Sequence, residues 1–123
     1  MKTYRTLSVV TPAGSRIRAG RKTIEVRKWR PDELPLRNLL IVQNDIRLSR
    51  SGVMEDPNGR AVALVDVVAV TDWTEEHLAA SCAPYWDEGW LAWHLENIRP
   101  VNFVGLVPAR RRIYEVELPE ELG

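Results

Sequence analysis

Gly20-Arg21-Lys22-Thr23-Ile24-Glu25-Val26-Arg27-Lys28-Trp29 is the stretch on which the fold turns. It opens on a glycine, which readily takes the left-handed conformation that ends a helix. From Thr23 the residues alternate. Ile24 and Val26 point one way, and Thr23, Glu25, Arg27 and Trp29 point the other. A period of two is a strand, here one that buries an aliphatic face and presents a polar one. Same-face neighbours on a strand lie about 7 Å apart. The polar row therefore sets a carboxylate, a guanidinium and an indole side by side, with Lys22 just ahead of them at the turn.

The flanks extend this pattern. Thr6–Val10 is short, apolar and β-branched, and reads as a first strand. Thr11-Pro12 then starts a helix, with Thr11 as N-cap and Pro12 at the first helical position, and Gly20 ends it. Pro31 and Pro35 break the chain into a loop before Leu39–Gln43, a buried strand. Arg50–Arg60, with its Ser-Gly and Pro-Asn-Gly, is a turn-rich loop. Ala61–Val70 is too β-branched for a helix and is a central strand. Asp66 within it is a satisfied buried carboxylate or marks a bulge. Thr74 caps a short helix with Glu75 and Glu76 at its positive end; Cys82 lies in it as a buried thiol, and Pro84 stops it.

Leu91–Arg99 fits two patterns. Leu91, His94, Leu95 and Ile98 have helical spacing, while Trp93, Leu95 and Asn97 alternate as in a strand; Pro100 ends either. Ile113–Leu118 is the last strand, with Tyr114, Val116 and Leu118 facing in. The sum is a mainly β (α+β) fold, a closed or nearly closed barrel of five or six strands with short flanking helices. Ile24, Val26, Val62, Leu64, Tyr114 and Val116 are expected to be buried together.

Composition narrows the function classes. The 123 residues are 45% apolar, enough for one core, and a single domain over 1–123 is expected. No apolar run approaches the roughly 20 residues of a membrane span. The start, MKTYRTLSVV, reads as mature protein. The one cysteine, Cys82, excludes an internal disulfide and a Cys-rich zinc site, which fits a cytoplasmic location. His77 and His94 have no partner at ligand spacing, so no metal is expected. Phosphate-loop, dinucleotide and nucleophile-elbow motifs are absent, and no cofactor is implied.

Formal net charge is zero, but the charge is segregated. Arg16, Arg18, Arg21, Lys22, Arg27, Lys28 and Arg30 face only Glu25 within their segment, whereas Asp72–Glu88 carries acids and no Lys or Arg.

The stretch Gly20–Arg27 resembles the G-x-K-x-x-E-x-R signature of the ASCH (activating signal cointegrator homology) domain family, matched by Gly20, Lys22, Glu25 and Arg27, with Trp29 following as in many members. Trp90-Leu91-Ala92-Trp93-His94-Leu95-Glu96-Asn97-Ile98-Arg99-Pro100 is similar to the family's later Trp-x-Leu-x-Asn-x-Arg segment. The resemblance covers nearly the whole chain. It implies a PUA-like β-barrel and a basic cleft suited to RNA or a nucleotide, formed by Arg21, Lys22, Thr23, Glu25, Arg27 and Trp29, with Trp93, Asn97 and Arg99 on the opposite wall. Lysine and arginine hold phosphate, and a Trp face stacks an unpaired base.

The resemblance also implies a second reading. Some family members are N4-acetylcytidine amidohydrolases and others are ribonucleolytic, which would make Lys22 and Glu25 catalytic, with Thr23 a lesser candidate. The catalytic Thr of the amidohydrolase branch falls at Glu25 here, and its acid falls near Ser81. RNA or nucleotide binding ranks first, hydrolysis second and protein interaction third.

Overall fold

The computed structural model describes residues 1–119 and 122. The chain runs β1 (Lys2–Val10), α1 (Ala13–Arg18), β2 (Ile24–Arg27), β3 (Leu36–Asn44), β4 (Glu55–Asp72), a 3-10 turn (Glu75–His77), α2 (Leu78–Ser81), β5 (Leu91–Pro100), β6 (Val107–Arg110) and β7 (Ile113–Leu118). The seven strands form one sheet in the order β2-β5-β4-β3-β1-β7, with β6 paired to β4. β1 and β3 are parallel and the other pairings antiparallel. No described helix is long and apolar enough to cross a membrane.

The sheet is open, not a closed barrel, and it has seven strands rather than five or six. The short β2 pairs with β5 alone, so its other edge is left without a backbone partner among the described residues. A side chain spans the gap instead: Arg27 Nη2 donates to the carbonyl of Ser8 on β1 at 3.0 Å.

Local differences have local causes. Pro12, not Thr11, is the N-cap of α1, and no side chain caps the helix. Gly20 ends it as expected, at φ 77°. Its N–H bonds Ile17 O and the next N–H, of Arg21, bonds Arg16 O, both at 2.9 Å. That pair is the Schellman closure. Leu91–Pro100 is a strand because β2 and β4 pair with it on both sides, and ladder pairing overrides its helical spacing. β4 begins at Glu55, inside the stretch read as loop. There Pro57-Asn58 makes a bulge between Asp56 and Gly59, and the start of β4 pairs with β6, a strand that Val-Pro-Ala-Arg does not announce. Asp66 is both buried and next to a register shift. Cys82 is not within α2 but caps it in the left-handed region, at φ 54°.

The core is divided, because strands near the centre of the sheet are covered on both faces. Leu7, Leu39, Ile41, Val65, Val67 and Trp93 pack with Ile17 of α1 on one side. Tyr4, Leu40, Val42, Leu64, Val107 and Val116 pack on the other. Ile24 joins Trp73 and Ala92 in a small third cluster. The six residues expected in one core are thus split: Ile24 and Val26 in the third cluster, Val62 against the first, and Leu64, Tyr114 and Val116 in the second.

Gly59 sits where β4 meets β6. A Cβ there would lie 2.5 Å from Val107 O and 2.6 Å from Val42 Cγ1. Gly59→Ala is expected to destabilise the protein by about 1–3 kcal/mol. In urea the unfolding midpoint should fall at constant slope; an unchanged midpoint would contradict this packing.

Candidate functional site

The Schellman turn folds the chain back over α1 and delivers Lys22 to the start of β2. Its side chain runs inward. The Nζ atom donates to Ser81 O at 2.8 Å and lies 3.3 Å from Glu25 Oε1. The other carboxylate oxygen accepts from Arg27, with Nε at 2.9 Å and Nη2 at 2.8 Å. Lys22 and Glu25 are each only 7% exposed. The face of β2 expected to present Glu25 is therefore covered: alternation gives the side, and β1 and α2 supply the lid. Burial alone would raise the Glu25 pKa. Arg27 and then Lys22, by charge and by hydrogen bonds, outweigh it and hold the carboxyl below its ordinary value of 4.5. The group is an anion clamped between two cations.

Beside this triad, along the unpaired seam, lies a cleft of about 440 Å³. One wall carries Glu25, Arg27 and Trp29, and the facing wall carries Ser8–Val10 and the Arg110–Arg112 corner, with Arg47 and Trp90 at its margins. Trp29 packs on the edge of Trp93, with ring centroids 4.8 Å apart. Its face is covered by the Arg112 guanidinium at 4.2 Å. Lys28 lies 4.6 Å over the Trp90 ring. Arg110 pairs with Glu55 at 3.3 Å, both half-exposed, so that pair is weak. Arg47 and Arg111 have no ion pair or hydrogen bond among the described residues.

Of the residues singled out from sequence, Glu25, Arg27 and Trp29 line this cleft. Lys22 and Thr23 lie behind it. Thr23 is tied by backbone bonds to Ala80 O at 2.8 Å and from Leu95 N at 2.9 Å. Arg21 is exposed outside the lining. Trp93 is fully buried beneath Trp29, donating its indole N–H to Trp29 O at 3.1 Å. Asn97 and Arg99 belong to a different cluster around Asp66. The Asp66 carboxylate takes Arg37, Arg99 and Asn97 at 3.2 Å each and the Asn38 N–H at 3.0 Å. Burial raises the Asp66 pKa, but these donors win and lower it overall.

Trp93, Asn97 and Arg99 thus do not form the opposite wall. Their strand, β5, is the direct neighbour of β2, with Glu25 opposite Trp93 and the pairing ending at Ile24 and His94. The facing wall is β1 and the corner before β7. Arg110-Arg111-Arg112 is visible in the sequence as a basic run, whereas Arg47 carries no local signal. Of the Arg16–Arg30 basic residues only Arg27 lines the cleft. Arg18, for instance, is spent on Val62 O, Val101 O and Asn102.

Among the described residues no group of three or more His, Cys, Asp or Glu could hold a metal. His94 Nε2 lies 2.8 Å from Thr71 Oγ1, and His77 Nδ1 accepts the Thr74 N–H at 3.1 Å.

The ASCH-domain family profile matches residues 7–105. Among solved structures, two point-mutant crystal structures of ZmASCH from Zymomonas mobilis are similar to the chain. They share 17% and 19% identity, cover 80% of this chain and 73% and 70% of their own, and have TM-scores of 0.47 and 0.48. No curated protein matches.

The lowered Glu25 pKa fixes the sign of a pH effect. The stability it contributes is complete above the ordinary 4.5 and is lost as pH falls through the lower folded value. Glu25→Gln should therefore be destabilised most above about pH 5, and the gap to wild type should narrow on acidification. Urea unfolding from neutral to strongly acid pH measures it. A gap that stays constant would show that Glu25 is not held as a clamped anion.

Proposed function

This chain belongs to the ASCH-domain family, and from that premise we propose that it binds single-stranded RNA or a nucleotide in the cleft between β1 and β2. The observation that carries this reading is the concentration of Arg27, Arg47, Arg110, Arg111 and Arg112 around one concave surface whose carboxylate, Glu25, is already neutralised. Guanidinium groups match phosphate in fork geometry. Arg112, its guanidinium 4.2 Å over the Trp29 ring, offers a planar cation on which a base can stack, or yields the indole face itself. Zero net charge does not oppose this, because low-dielectric walls focus a local field. It does favour a short anionic ligand over tight, nonspecific duplex binding.

The hydrolase reading requires Lys22 and Glu25 to meet substrate. Lys22 is engaged by Glu25 and by Ser81 O behind the cleft, and Glu25 is engaged by both cations. This arrangement supports a positioning role over a nucleophile or base. Incubation with N4-acetylcytidine and, separately, with single-stranded RNA is expected to give no Lys22-dependent turnover by chromatography.

Binding is tested by fluorescence anisotropy with a short single-stranded RNA across a salt series. Arg111→Ala, which removes an unpaired, half-buried cation, should weaken binding and flatten the log–log salt dependence by about 0.7. Trp29→Ala should cost about 1–3 kcal/mol of affinity with little change in that slope. Folded variants that bind with unchanged affinity and slope would reject the cleft as the binding site.

A further inference from the structure

A second, smaller groove of about 250 Å³ adjoins the arginine cleft, and Val26 and Trp90 line both. Its remaining walls are Trp73, Ala83, Pro84, Tyr85 and Asp87. The two hollows differ in kind. The cleft is walled by guanidinium groups; the groove has aromatic and aliphatic walls, one carboxylate and no cation. The loop that shapes it is fastened in place. Trp86 donates its indole N–H to Trp73 O at 2.8 Å, and Trp73 donates to Ser81 Oγ at 3.3 Å. Tyr85 is left 72% exposed at the rim.

We propose that this groove is the base subsite of the nucleotide whose phosphate occupies the arginine cleft, and that Asp87 selects bases carrying an exocyclic amino group. The proposal rests on the binding reading above and adds to it the placement and identity of the base. A nucleotide has the same polarity as the two hollows: an anion at one end, and at the other a flat ring whose faces are apolar and whose edge donates hydrogen bonds. The sugar then crosses the Trp90 seam. A groove this small suits one ring system rather than the larger ligands that fill pockets of about 300–1,000 Å³. Aromatic side chains stack any base, so selection falls to the polar group. One Asp87 oxygen accepts the Glu88 N–H at 2.9 Å. The other has no partner among the described residues and can accept from a ligand. Adenine, guanine and cytosine each offer an amino donor. The sole ring N–H on the pairing edge of uracil lies between two carbonyl oxygens, which repel an approaching carboxylate.

The test is calorimetric titration of the full chain with AMP, GMP, CMP, UMP and ribose 5-phosphate, repeated on Tyr85→Ala and Asp87→Asn. Both substituted residues are exposed, and neither contributes to the buried core. Amino-bearing nucleotides are expected to bind about tenfold tighter than UMP, the scale of a net hydrogen bond to a charged group. Tyr85→Ala should weaken every nucleotide and leave ribose 5-phosphate unchanged. Asp87→Asn should erase the preference against UMP. If ribose 5-phosphate binds as tightly as the nucleotides and Tyr85→Ala changes nothing, the groove is not a base subsite although the cleft still holds phosphate. Equal binding of all four nucleotides with sensitivity to Tyr85→Ala removes Asp87 as the selector. If wild type binds neither nucleotides nor ribose 5-phosphate, the cleft reading itself falls, and the subsite with it.

Discussion

The buried carboxylate of Glu25 is the constraint around which the rest is arranged. An anion in the interior is tolerated only with opposite charges and hydrogen bonds to replace lost water. Lys22 and Arg27 supply both, and each then bonds a backbone carbonyl elsewhere: Ser81 O at the end of α2, and Ser8 O on β1. Three separate parts of the chain are therefore fixed relative to one charge. Breaking such a cluster by removing one partner typically costs about 3–5 kcal/mol, because the remaining charge is stranded. That is a large share of the stability of a domain this size.

The cleft follows from the same arrangement. A sheet with a four-residue edge strand does not close by ladder bonds onto β1. The guanidinium of Arg27 bridges the gap at one point and leaves a hollow along the rest of the seam. Chain returning from β6 to β7 brings Arg110–Arg112 to that hollow. Closure by backbone pairing would have filled the seam with neutral amides and carbonyls. Closure by a side chain leaves it concave and lined with cations, which is what an anionic ligand requires.

How much of this the sequence discloses depends on whether the determining interaction is local. The Gly20 stop, the β2 alternation and the limits of β7 at Ile113–Leu118 are set by neighbours in the chain, and all were legible. The β5 segment was ambiguous because its own spacing supports two periods and only pairing with β2 and β4 decides between them. The β6 strand, starting with Val-Pro, has no pattern of its own and exists because β4 offers it an edge. At the site, alternation placed Glu25, Arg27 and Trp29 on one face but said nothing of what covers Glu25. The two family-like segments imply facing walls for Trp93, Asn97 and Arg99, whereas antiparallel pairing makes their strand the direct neighbour of β2. Arg47 and Arg110–Arg112 come to the cleft from distant positions, which no local pattern reveals.

The basic residues consequently divide by what they are bonded to, not by where they stand in the motif. Lys22 and Arg27 are committed to Glu25 and to carbonyls, and Arg18 is committed to the carbonyls of Val62 and Val101. Arg47 and Arg111 are committed to nothing among the described residues. A signature lysine that is 7% exposed and doubly engaged serves the fold first. Its loss would disturb the cleft whether or not it ever met a ligand, because the carboxylate it neutralises forms part of the cleft wall. Free arginines obey the opposite logic. Their removal costs the fold little, since Arg47 is exposed, Arg111 half-buried and neither is paired, while each guanidinium lost subtracts directly from the field over the seam. The motif thus builds the cleft wall, and the cations left unpaired around it, Arg47 and Arg111, lie outside the motif.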